Sequence, residues 1–426
     1  MPIPVAEKQF RHESGKLKIV VVGAGLAGVG ATIACLLAGH DVHLLESAKE
    51  IGEIGAGIQI LPNSSRVLQH WGLEKALMKH ATVPRFCNFL GWKGNLISSL
   101  DFKASEAQYP GTWYRDFHRA DLHRCLVERA VELDAVLSCN TRIINVIPSE
   151  DGTTSTAIAA DGRQFTGDLV IGCDGVFSKL TESLLQRPEP PLKTGDLAYR
   201  LLLDTDEMLK DPELRSFVTD PQVNYWLGPD KHAVNYVLRG GKLFNMVLLV
   251  PDDIPEDSLA TTVEGNVEEM CSLFEGWDPN TIVNSCSAGM AFEDGAVLGE
   301  VLSRLPNDPF ISKTSPEYLA EKRHALAVFE KCRKERTQMV VKRGNTQQYL
   351  YHLHDGPEQE DRDRKMQMVP TPEGECLAWR DPGLAPKLLG YDHIADVSEK
   401  MIHCHGENIL TGAGEPQLER SYPDSS

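Results

Sequence analysis

Gly23, Gly25 and Gly28 stand in the spacing Gly-x-Gly-x-x-Gly, behind a short valine-rich apolar run (residues 17–22) and at the head of a helical stretch (residues 27–38). Glycine at each of those places has a consequence. Gly23 permits a tight turn, Gly25 lets backbone approach a pyrophosphate at the positive end of a helix, and Gly28 lets helix and strand pack closely. Gly39-His40 ends the helix, residues 41–45 read as a second strand, and Glu46 closes it, placed to accept from both hydroxyls of a ribose. A glycine-rich turn without a ligand is the bland alternative, and strand, helix and acid together weigh against it. The pattern fits a dinucleotide without saying which.

The elements that must hold these groups follow from periodicity. Residues 63–79 and 119–133 read as helices, and residues 136–165 as a meander with turns at Asp151-Gly152 and Asp161-Gly162. Residues 168–173 form another buried strand, closed by Asp174-Gly175. Between residues 195 and 251 longer alternating runs (222–227, 232–238 and 242–250) predict an antiparallel sheet with one exposed face. Helical periodicity returns from residue 288 and is clearest over 318–351. From about residue 355 the chain is polar and rich in Pro and Gly, which predicts a loosely packed tail.

Composition excludes several functions. The 426 residues carry a formal charge of −18, which repels nucleic acid and anionic membranes. The ten cysteines are scattered without a Cys-x-x-Cys pair, so neither a zinc site nor a disulfide framework is expected. His403-Cys404-His405 reads as a polar tail segment, since successive residues of a strand face opposite ways. No apolar run is long enough for a bilayer, and residues 1–18 lack a signal-peptide core. A cytoplasmic chain with small-molecule partners, no metal and no membrane is expected. Its oligomeric state is not legible.

Further stretches carry a resemblance. They are Gly55-Ala56-Gly57-Ile58-Gln59 with Pro62-Asn63, His118-Arg119-Ala120-Asp121-Leu122, Asp174-Gly175 with Ser178, Ala288-Gly289-Met290 and Ala378-Trp379-Arg380-Asp381-Pro382. Over residues 17–397 the chain resembles the single-component FAD-dependent aromatic monooxygenases, salicylate and p-hydroxybenzoate hydroxylases among them. It is most similar to the fungal phenolic-polyketide hydroxylases. The resemblance implies an α/β fold: a Rossmann-like FAD-binding domain from residues 16–192 and 288–356, an antiparallel β-sheet substrate domain from 193–287, and a tail from 357–426.

The same resemblance implies FAD, with NADH or NADPH as co-substrate, and hydroxylation of a phenolic or salicylate-like ring by molecular oxygen. Gly23, Gly25, Gly28, Glu46, Gly57, Arg119, Asp174, Gly175, Ala288 and Gly289 would hold the cofactor. Arg200 and Tyr236 would hold a phenolate, the first by charge and paired donors, the second by a hydrogen bond. Plainer readings stand beside these: Arg119 solvated, Asp174-Gly175 a turn, Arg200 paired with a carboxylate, and Tyr236 ordinary sheet packing.

One departure is large. The family pattern places a Gly-Asp motif and a histidine- and proline-bearing loop before the helix at Ala288, and here only residues 280–287 intervene. Eight residues reach roughly 28 Å fully extended, yet they cannot also supply a strand, an aspartate for the ribityl chain and a structured loop. Thr181 stands where the family pattern has arginine. The rival reading is therefore an inactive or truncated homologue that binds FAD weakly or not at all. A flavoprotein oxidase is a third.

Overall fold

The computed structural model describes residues 3–52, 56–254, 265–281, 290–374 and 378–410. In chain order, β1 (Lys18–Val22), α1 (Leu26–Leu37) and β2 (Asp41–Leu45) form the first unit. There follow β3 (Gly57–Ile60), α2 (Pro62–His70), α3 (Glu74–Leu77), the hairpin β4 (Phe86–Gly91) and β5 (Leu96–Asp101), and α4 (Phe102–Gln108). Next come β6 (Arg115–His118), α5 (Arg119–Glu132), β7 (Val136–Ser138), β8 (Ile143–Pro148), β9 (Ser155–Ala159), β10 (Gln164–Gly167), β11 (Leu169–Gly172) and α6 (Lys179–Leu185). The second half holds β12 (Asp196–Asp204), α7 (Arg215–Thr219), β13 (Val223–Gly228), β14 (Lys231–Leu238), β15 (Leu243–Pro251) and α8 (Val267–Leu273). It closes with α9 (Met290–Ser303), α10 (Pro316–Tyr351), α11 (Pro357–Gln367), α12 (Ala385–Leu389) and α13 (His393–Leu410).

A parallel sheet of order β11-β1-β2-β7 carries the first unit. Its middle strand β1 is buried from Ile19 to Val22, which is why that run is continuously apolar rather than alternating. Helix α1 is buried almost all round, because α9 covers the side turned away from the sheet. Two glycines one turn apart make that crossing possible. A Cβ on Gly295 would lie 2.9 Å from Ala31 N, and one on Gly299 would lie 2.5 Å from Ala34 Cβ.

The second layer is a six-stranded sheet of order β12-β15-β14-β13-β4-β5. Its four later strands pair antiparallel, as the alternation predicts. Strands β4 and β5 are an addition: residues 86–101 come from the stretch assigned above to the FAD-binding domain, and β4 joins β13 in parallel. On one face Phe89, Val223, Val234 and Tyr236 pack against Leu61, Phe102 and Tyr114, while the other face packs on α8.

Three further expectations change. The helix over residues 63–79 is divided at Gly72, whose φ of +79° ends α2 and separates it from α3. The tail beyond residue 355 carries α11, α12 and α13, and Leu389 and Val397 are buried in the two main cores. His403-Cys404-His405 lies within α13 and not on a strand. Among the described residues, no helix is long and apolar enough to cross a membrane.

Arg11, in a polar leader with no motif, fastens the first layer. Its Nε donates to Ala38 O at 2.7 Å at the end of α1, and its Nη1 and Nη2 reach Leu305 O and Leu302 O at 3.0 and 2.9 Å beyond and within the end of α9. One buried guanidinium thus satisfies the last carbonyls of two helices. Arg11→Ala is expected to cost about 3 kcal/mol, since each bond to a charged donor is worth about 1.5–3 kcal/mol. Urea unfolding of the two proteins side by side measures it.

Candidate cofactor and substrate site

The glycine turn lies at the C-terminal ends of β1, β2 and β11, where a doubly wound sheet takes its ligand. Each glycine has its own reason. Gly23 has φ +99°, and a Cβ there would lie 2.3 Å from Cys173 O; a Cβ on Gly28 would lie 1.7 Å from Gly23 O. Around Gly25 nothing stands within 4 Å of a Cβ. Gly25 is also the N-cap of α1, which has neither a side-chain cap nor an acid in its first turn. That helix end therefore offers its N–H groups and positive pole to open space, which fits a pyrophosphate.

Glu46 closes the other wall. Its Oε2 accepts from Ala24 N at 2.8 Å and its Oε1 from Ala48 N at 2.7 Å, so the acid braces the glycine turn. Burial opposes its ionisation, and these backbone donors outweigh that and hold its pKa below the ordinary value of 4.5. A depressed folded-state pKa contributes stability that is complete above the unfolded value and is lost as pH falls through the folded one. Glu46→Gln is expected to flatten that acid limb of the stability profile and to weaken FAD binding about tenfold. Thermal melts below pH 5 and a flavin fluorescence titration read the two effects.

Arg119 opens α5, and one turn later His123 Nε2 lies 2.6 Å from Ala24 O. The ring tethers α5 to the glycine turn and brings Arg119 to the same end of the sheet. His123 was missed in the sequence, although its i+4 spacing from Arg119 is a usable signal. Asp174 sits beside Gly23, its Cα 3.2 Å from where a Cβ would be. Its carboxylate caps α6, accepting from Ser178 Oγ at 2.6 Å and from Lys179 N at 2.7 Å. The turn thus presents backbone to a ligand: Gly175 has φ +83° with open space about it. Thr181 is turned to Ser178, its N and Oγ1 both donating to Ser178 Oγ.

The second half of the site is built where the ribbon β3–β6 meets the six-stranded sheet. Gly57 N donates to Asn245 Oδ1 at 2.8 Å, and Tyr236 lies across Gly57 so closely that a Cβ would come 2.3 Å from Cε2 and 2.6 Å from the hydroxyl. Tyr236 and Asn245 are register partners, and both are buried. Arg200 faces Val247, which faces Val234, so Arg200 and Tyr236 project from one face of the sheet. Two strand spacings and a two-residue offset separate their Cα atoms by roughly 12 Å. Arg200 is exposed, makes no ion pair with the described residues, and lines a cleft of about 670 Å³ along β12 with Tyr199, Asp253 and Glu269. Gly55, Ala288 and Gly289 lie outside the described residues, as do 282–287 of the shortened connection.

A family model described as an FAD binding domain matches residues 16–260. FAD-dependent monooxygenase OpS4 of Beauveria bassiana (strain ARSEF 2860) is 34% identical, over 89% of this chain and 96% of its own length. That alignment runs to 432 positions, more than the 426 residues of the chain, so the relative carries residues with no counterpart here. The 3-amino-4-hydroxybenzoate 2-monooxygenase of Streptomyces cremeus is 30% identical, over 85% of this chain and 94% of its own. Among solved structures, FqzB superposes with a TM-score of 0.73 at 19% identity, covering 95% of this chain and 96% of that one, and shares the fold.

Proposed function

The chain belongs to the FAD-dependent aromatic monooxygenases, proteins built on an FAD binding domain, and from that premise we propose that it hydroxylates a phenolic or salicylate-like ring at the expense of NADH or NADPH. The setting would be secondary metabolism or aromatic catabolism. One observation carries the reading: Tyr236, from the sheet, lies directly on Gly57 of the loop that the resemblance places over the flavin. The names of the relatives support an aromatic substrate, since one acts on a hydroxybenzoate.

FAD, when bound, supplies the redox chemistry of oxygen insertion, and the protein binds, orients and excludes water. We assign its binding to Gly23, Gly25, Gly28, Glu46, Gly57, Arg119, Asp174 and Gly175, together with Ala288 and Gly289. Residues 16–192 and 288–356 form the cofactor domain in this reading, and 193–287 joined by 86–101 cover the substrate. A ring attacks electrophilic oxygen best as phenolate. Arg200 supplies the fixed charge that favours the anion, and the Tyr236 hydroxyl holds the same oxygen from the neighbouring part of that face.

The test is NAD(P)H oxidation by the flavin-loaded protein with and without phenols, and the mass of the product. Stimulation by the phenol and a gain of one oxygen atom are expected. Arg200→Gln is expected to lower kcat/KM about a hundredfold, about 2.7 kcal/mol, with FAD still bound, and Tyr236→Phe about tenfold. Oxidation indifferent to phenols and yielding only hydrogen peroxide would overturn the reading. The shortened connection at residues 280–287 favours a second one, an inactive homologue of the same lineage, and a folded protein that takes up no FAD would establish it.

A further inference from the structure

Behind the Gly57–Tyr236 contact lies a buried acid that the reading above does not use. Asp116 of β6 is fully buried and stands opposite Gln59 of β3. Its main chain is tied twice to Thr82, the N–H donating to Thr82 O at 3.0 Å and the carbonyl accepting from Thr82 N at 2.9 Å. The side chain is shut off from solvent. Both carboxyl oxygens, Gln59 Nε2 and the Tyr114 hydroxyl are buried together, and none has an aligned hydrogen-bond partner among the described residues.

Burial drives the Asp116 carboxyl well above the usual range, although Gln59, the Arg115 guanidinium and the Tyr114 hydroxyl pull the other way. Arg115 is already committed to Glu106 at 2.7 Å, and Cys87 of β4, itself fully buried, is the other titratable group facing the acid. A neutral acid is donor and acceptor at once, the complement of a primary amide. Gln59 leads forward from there. Its Oε1 accepts from the Tyr225 hydroxyl at 3.4 Å, and two residues earlier Gly57 is held by Asn245 and covered by Tyr236.

We propose that Asp116 is a positioning residue for the hydroxylation: through Gln59 it sets the place of β3, and so of Gly57 beneath Tyr236. The proposal rests on the monooxygenase reading, and its test separates the two. Asp116→Asn keeps size with a donor and an acceptor, whereas Asp116→Leu keeps size and loses both. The readouts are FAD affinity by fluorescence titration, hydrogen peroxide released per NAD(P)H consumed, and the infrared carbonyl stretch of a protonated acid.

Asp116→Asn is expected to bind FAD within about threefold of wild type, and Asp116→Leu about tenfold more weakly with a raised peroxide ratio. Gln59→Met, which leaves the acid intact, should reproduce the loss even if the leucine variant does not fold. The infrared band should be present in the wild-type apoprotein at neutral pH and absent from Asp116→Asn. Wild-type FAD affinity and coupling in the leucine and methionine variants would overturn the proposal, as would an asparagine variant as defective as the leucine one, or a missing band. A wild type that takes up no FAD would instead sink the monooxygenase reading, and the positioning role with it.

Discussion

Gly25→Ala is expected to leave the apoprotein within about 1 kcal/mol of wild type, as a glycine N-cap exchanged for alanine should, while cutting FAD affinity at least tenfold. Gly25 has φ −69°, which alanine adopts without strain, and its Cβ would enter open space. The only thing it fills is the approach to the α1 N-terminus. Gly28→Ala is the control with the opposite signature. Its Cβ would lie 1.7 Å from Gly23 O, so the helix must move off the strand, and stability itself should fall by about 3 kcal/mol, the upper range for overpacking. Thermal unfolding of the apoproteins, set beside FAD titration, separates the two. A Gly25→Ala protein with undiminished FAD affinity would mean that the pyrophosphate lies elsewhere.

Glu293→Ala is expected to cost about 3–5 kcal/mol of stability, the range for removing one partner of a buried ion pair. Glu293 of α9 is fully buried. Its oxygens accept from Arg336 Nη2 and Nε at 2.5 and 2.6 Å, from Arg333 Nη2 at 3.0 Å and from Asn63 Nδ2 at 2.6 Å. Removing it takes from buried Arg336 its carboxylate partner and leaves Arg333 with Asp294, whose Oδ1 accepts from Arg333 Nε at 2.6 Å. It also releases Asn63, which follows the Gly57 loop in α2, so stability and the FAD site should loosen together. Arg336 is held further by Lys387 O at 2.6 Å and by the ring of Tyr391 at 4.0 Å, which explains why α12 and the turn after it pack instead of trailing. Equilibrium urea unfolding reads the cost; a loss below about 1 kcal/mol would show that the arginines find other partners.

Much of the cofactor half was legible because it is local. A strand, a turn and a helix within residues 17–46 specify the glycine roles in full, since each glycine's constraint comes from a segment whose course is set by the same motif or by the strand ending at Asp174. Asp174 itself shows the limit. Sequence pairs it with a ligand or with a turn, and only the folded chain puts its oxygens on Ser178 and the start of α6. Arg11 and Glu293 were not legible, because neither belongs to a spacing pattern and their acceptors or donors come from distant elements.

The substrate half depended on pairing. Alternation over residues 195–251 specifies that strands exist and which residues alternate, and nothing in it states the partner of each strand. Long-range pairing is paid for in loop-closure entropy and settled by which faces bury together. Hence the sequence alone determined the lineage, the dinucleotide turn, strands β1, β2 and β11 of the parallel sheet and strands β13, β14 and β15 of the larger one. Tertiary structure decided that residues 86–101 enter the six-stranded sheet, that Arg200 and Tyr236 share a face, and that Tyr236 closes on Gly57. Contacts within a motif are written in its spacing, while contacts between faces exist only once the chain has chosen a register.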